Sequence, residues 1–132
     1  MNRLHDWPQR LSAYLFARRE TPFEWGRHDC CKFSAGAVEA MTGVDPSAPW
    51  PYSNEIGARR LMLKHDGVAG LVTAALGEPC HPSAAGRGDI VLAYLDHGPT
   101  AGVCLSQMCA FAEEPAGIAM LPRTVIRIAW KV

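Results

Sequence analysis

The sequence predicts an α+β domain with its helices first and an antiparallel sheet second. Two observations carry this. Up to about residue 77, apolar residues recur at helical spacing between capping residues and glycine stops. From about residue 88 the pattern turns to short apolar runs divided by turn chemistry, with Asp96-His97-Gly98-Pro99 the strongest turn. Helices followed by strands give segregated layers rather than a parallel βαβ sheet. At 132 residues the chain fits one domain, with a helical part over about 1–77 and a sheet part over about 88–132. A domain of this size buries about 70% of its unfolded surface and needs no covalent staple to fold.

Asp6 is placed to cap a first helix that Trp7-Pro8 opens. Leu11, Tyr14 and Leu15 give its apolar stripe, Arg18 its charged edge, and Thr21-Pro22 its end. A second helix starts at Asp29 and runs to about Thr42, with Gly43 as its cap and Phe33, Ala37, Val38 and Met41 on its buried side. Small residues at Ser34, Ala35 and Gly36 permit close approach of another backbone. Three prolines make 44–52 a loop. Ser53 caps a third helix to about Lys64 that Gly67 stops, and a fourth over 68–76 closes at Gly77. Residues 78–87 read as loop. The strand candidates are 90–94 and 101–105, then the weaker 107–113, 117–121 and 125–130.

Composition narrows the function. A net charge of zero and a pI near 6.9 argue against a nucleic-acid binder, which carries a basic face. The N-terminal residues lack the apolar core of a signal peptide, and no apolar run is long enough for a membrane span. The five cysteines, Cys30, Cys31, Cys80, Cys104 and Cys109, are odd in number, irregularly spaced and without a CxxC pair. That is neither a disulfide framework nor a zinc site, and it fits synthesis in a reducing cytosol. No metal and no cofactor is expected.

The chemistry concentrates in Phe23-Glu24-Trp25-Gly26-Arg27-His28-Asp29-Cys30-Cys31-Lys32-Phe33. A cysteine in the first turn of a helix faces unpaired N–H groups and the positive end of the helix dipole, which favour its thiolate. The same N–H groups suit an oxyanion in acyl transfer. The alternative is a small buried cysteine. Asp29 caps the helix in either case. Trp25 and Trp50 are candidates to line a groove for a glycan or peptide, and equally candidates for the core. Gly88 and Asp89 read as turn residues leading into the first strand.

Asp29-Cys30-x-x-Phe33 resembles the Asp-Cys-Ser-Gly-Phe/Leu motif of NlpC-like cell-wall cysteine peptidases, in which the cysteine opens a helix packed on an antiparallel sheet. Phe23-Glu24-Trp25-Gly26 is similar to the aromatic element before that motif. Gly88-Asp89-Ile90-Val91 is similar to the family's Gly-Asp-Leu/Val-Val, and Thr100-Ala101-Gly102-Val103-Cys104 to its His-Val-Gly-Ile-Tyr. The resemblance covers about residues 22–114 and implies a papain-like fold, with Cys30 as nucleophile and Gly26, Asp29, Gly88, Asp89 and Gly102 as structural motif residues. Trp7-Pro8 and the closing Ala129-Trp130-Lys131-Val132 extend the likeness to short phage and prophage tail-region proteins. It therefore implies a virion tail protein, made in the host cytoplasm, whose partners are other tail proteins and peptidoglycan.

The sequence departs from that family at the decisive point. Its catalytic histidine aligns with Thr100, which is no general base near neutral pH, and its third polar residue aligns near Phe111. A thiol peptidase needs an imidazole to hold the ion pair and protonate the leaving amine. His97, in the turn before Thr100, is the first candidate substitute and His28, two residues before Cys30, the second; His65 and His81 have no motif near them. Cys31 is a candidate resolving thiol, though adjacent cysteines make a strained ring. Three functions stay open: a cysteine endopeptidase on peptidoglycan stem peptides, a tail-tip or tail-hub subunit that has lost the chemistry, and a thiol enzyme of another class such as an acyltransferase.

Overall fold

In the computed structural model, which describes residues 1–132, four helices precede five strands. The helices are α1 (Trp7–Arg18), α2 (Cys30–Thr42), α3 (Glu55–Lys64) and α4 (Gly67–Leu76). The strands are β1 (Ile90–Leu95), β2 (Gly98–Cys104), β3 (Met108–Ala112), β4 (Ile118–Pro122) and β5 (Ile126–Trp130). This is the α+β layout expected, with the N-terminal helices packed on an antiparallel sheet.

The local signals act mostly as read, with four shifts. Asp6 makes no side-chain cap; its carboxylate accepts from Arg10 one turn on, at 2.8 Å. The cap of α3 is Asn54, whose Oδ1 accepts from the Gly57 N–H at 2.8 Å, and not Ser53. Gly67 opens α4 instead of ending α3, because the corner is made by Asp66 and Gly67, both at positive φ. Tyr14, a side chain and not a backbone, occupies the room above Gly36, and its hydroxyl donates to the Phe33 carbonyl at 2.7 Å.

The sheet order is β4-β3-β2-β1-β5 with antiparallel neighbours throughout. The first four strands form a meander, and β5 returns to the free side of β1. That flanks β1 on both sides and draws Trp130 under α4, where its indole N–H donates to Thr73 Oγ1 at 3.1 Å. The hairpin between β1 and β2 is tighter than read from sequence. Leu95 lies opposite Gly98, so the loop is only Asp96-His97.

Both faces of the sheet are covered, which is why β1 reads as an unbroken apolar run instead of alternating. Ile90, Leu92, Ala101, Val103, Ala110 and Trp130 face the helices and share the main core with Phe33, Val38 and Met41 of α2. Val91, Ala93, Cys104, Cys109, Phe111, Ile126 and Ala129 form a smaller core with Ala85 of the loop before β1. Gly102 belongs to this second face: a Cβ there would stand 2.5 Å from the Phe111 ring, so the aromatic side chain lies flat across the glycine. Phe111 is thus a packing residue.

Gly88 and Asp89 do more than lead into β1. The fully buried Asp89 carboxylate accepts from Arg3 Nη2 (2.9 Å), the Val132 N–H (2.9 Å), the Gly86 N–H (2.8 Å) and Lys131 Nζ (2.5 Å). It joins the two chain ends to the start of β1. Gly88, at φ +93°, leaves room for Arg3 and Met41 that a Cβ would take.

Candidate functional site

Cys30 is the first residue of α2, as its spacing from Asp29 predicts. Asp29 is almost wholly buried and fully engaged. One oxygen caps the helix by accepting from the Lys32 N–H at 2.8 Å, the other accepts from the Gly26 N–H at 2.8 Å, and the Tyr52 hydroxyl donates to both at 2.9 Å. Gly26 is required at this corner. Its φ is +90°, and a Cβ would meet the Tyr52 carbonyl and Ser53 Cα at 3.0 Å.

The Cys30 thiol is half-buried, 3.9 Å from the Cys31 sulfur, and close to the Ala101 N–H of β2. Its pKa lies below that of a free cysteine. The chief cause is the hydrogen bond from the Cys31 thiol; burial opposes it, the Ala101 and Cys31 N–H groups add to it, and the Asp29 charge opposes it. Cys31 moves the other way, far up, because it is the donor of that bond and is itself buried. Of the two thiols, Cys30 is therefore the one that gives up its proton first. Cys31→Ala is expected to slow native-state alkylation of Cys30 by iodoacetamide about threefold at pH 7, because Cys30 then titrates higher. Equal rates in the two proteins between pH 6 and 9 would show that Cys31 does not support the thiolate.

The two histidine candidates are not brought to this thiol. His28 is completely buried and its ring is used on both sides: Nε2–H donates to the Gly117 carbonyl at 2.8 Å, and Nδ1 accepts from Arg18 at 3.3 Å. Those partners tie the β3–β4 turn to α1 and leave no free nitrogen for Cys30. His97 sits in the β1–β2 loop with Nε2 3.2 Å from Thr100 Oγ1. Thr100 pairs with Ala93, which lies in the second core, whereas Ala101 pairs with Leu92 of the main core. Thr100 and the ring bonded to it therefore stand on the far face of the sheet from Cys30.

The tryptophans are placed as structure. Trp50 is buried in the main core, where it lines a small apolar recess with Cys31, Val38 and Val72. Trp25 is half-buried, packs on the same core, and meets Phe23 edge to face at 5.3 Å. Residues the sequence did not single out are Tyr52, which clamps Asp29, and Ala101, whose N–H faces the sulfur.

Such a site can supply a nucleophilic thiolate with N–H support. Turnover on a peptide bond also requires protonation of a leaving amine, and both histidine candidates for that step are bonded elsewhere. Fold and site together define a small α+β domain with an activated thiol at a helix start and no imidazole bonded to it. The chain belongs to the family described as Domain of unknown function (DUF6950), whose model matches residues 2–132. No curated protein matches the chain.

Proposed function

We propose that this protein is a catalytically degenerate relative of the NlpC-like cell-wall cysteine peptidases, with a papain-like arrangement, that serves in a phage tail tip where it meets peptidoglycan and other tail proteins. The observation that carries the degenerate reading is the far-face position of Thr100 and His97 relative to Cys30. The nucleophile position is kept at the start of α2, while the strand beside it offers an alanine and a backbone N–H in place of an imidazole. The resemblance of the motifs at Asp29-Cys30, Gly88-Asp89 and Ala101-Gly102 supports the cell-wall and tail setting. An active endopeptidase would need His97 to cross the sheet, which its bond to Thr100 opposes.

The test uses purified peptidoglycan. Wild type, Cys30→Ala and His97→Ala are expected to co-sediment with it equally and to release no soluble peptide. Release by wild type that Cys30→Ala abolishes would overturn the degenerate reading, and loss in His97→Ala as well would identify a relocated base. Absence of co-sedimentation would remove the cell-wall contact from the proposal.

A further inference from the structure

The second core of the sheet holds a cysteine pair that the thiol site does not use. Cys104 of β2 and Cys109 of β3 lie directly opposite each other. The backbone of Cys104 is turned wholly toward β1: its N–H donates to the Asp89 carbonyl at 2.8 Å, and its carbonyl accepts from the Gly88 N–H at 2.8 Å. The adjoining β2–β3 bond is made one residue on, from the Leu105 N–H to the Met108 carbonyl at 2.8 Å. Cys104 and Cys109 are therefore a non-hydrogen-bonded antiparallel pair, the kind whose Cα atoms approach to about 4.5 Å. That separation falls within the roughly 4.4–6.8 Å a disulfide spans. Both side chains point into the same cluster, and both are fully buried. The Cys109 thiol is pushed up to about 12, first by burial and then by the Cys104 sulfur, so the two sulfurs are near enough to interact.

We propose that Cys104 and Cys109 are an oxidation site, forming a cross-strand disulfide that pins the β2–β3 hairpin when the folded protein meets a small-molecule disulfide. One thiol loses its proton and attacks a glutathione disulfide, releasing one glutathione thiol. The second displaces the other glutathione from the mixed disulfide. Two protein thiols are oxidised to one S–S bond, and one glutathione disulfide is reduced to two thiols. Because both sulfurs are buried, exchange requires the hairpin to open at its tip, where Ser106, Gln107 and Met108 are exposed. The vicinal pair Cys30-Cys31 is a poorer candidate despite its 3.9 Å separation, since adjacent residues close a strained ring. The proposal is independent of any tail or cell-wall role.

Met108 lies between the two cysteines, which gives a direct test. Folded protein is incubated with glutathione disulfide at mildly alkaline pH, quenched in acid and cleaved after methionine with cyanogen bromide. Fragments 63–108 and 109–120 are expected to stay joined until reductant is added, in wild type and in Cys80→Ala, and to separate in Cys104→Ala and Cys109→Ala. The oxidised wild type should melt about 5 °C higher, reversibly with dithiothreitol. Fragments of oxidised wild type that separate without reductant would overturn the proposal, a result that needs no variant to fold. Joining that is lost in Cys80→Ala would overturn it equally, by giving Cys109 a different partner.

Discussion

Asp89→Ala is expected to destabilise the protein by about 4 kcal/mol, the largest effect of any single side chain outside the apolar core. Removing one member of a buried charged network leaves its partners unsatisfied and costs about 3–5 kcal/mol. Here the stranded groups are the Arg3 guanidinium, only 20% exposed, and the Val132 and Gly86 N–H groups. Lys131 adds little, because its ammonium is 59% exposed and solvated without the pair. Arg3 also donates to the Val132 and Arg87 carbonyls and stacks over Trp7, so its release frees both chain ends together. Urea unfolding should show the loss as a lower midpoint with little change in slope, and the thermal midpoint should fall by about 12 °C. Lys131→Ala is the internal control, at under about 1 kcal/mol. An Asp89→Ala protein within about 1 kcal/mol of wild type would mean that the four contacts contribute nothing net.

Local chemistry was legible in the sequence, and through-space chemistry was not. The cap of α2 by Asp29, its stop at Gly43 and the closure of α4 at Gly77 depend on neighbours within one turn, and each stands as read. The placement of Cys30 in the first turn follows from the same short range. Thr100 and His97 stand away from Cys30 for a reason of period and register. Side chains on a strand alternate between faces, so whether residue 100 or residue 101 looks at Cys30 depends on which residue of β1 it opposes. Nothing within β2 itself encodes that choice. His28 misled in a similar way: two residues from the thiol in sequence, its ring reaches Gly117, 89 residues away, because the loop before α2 docks on the β3–β4 turn. Trp50 went to the core because α2 and α4 leave an apolar recess beside it. Cys104 and Cys109 carry no pairing signal in their spacing, and only the register sets them opposite each other.

Substitution of Asp29 should separate fold from thiol chemistry, since its carboxylate serves the first and opposes the second. Asp29→Ala removes a helix cap, worth about 1 kcal/mol. It also strips the acceptor from the Gly26 N–H and the buried Tyr52 hydroxyl, each costing about 1 kcal/mol or more if no water replaces it. A total near 3 kcal/mol is expected, read as a lower urea midpoint. Asp29→Asn keeps an oxygen for the Lys32 N–H and should lose less, but not nothing, because only one of its two terminal atoms accepts. For Cys30 the sign is opposite. The Asp29 charge raises its pKa, so removing that charge should lower it further while the Cys31 hydrogen bond stays in place. The pH midpoint of iodoacetamide alkylation at Cys30 should therefore move down in Asp29→Asn, as the stability falls. A folded Asp29→Asn protein whose Cys30 titrates unchanged would show that the carboxylate is already neutralised by its three donors. A midpoint that moves up would show that the cap orients the α2 N–H groups on the sulfur, and that orientation outweighs charge.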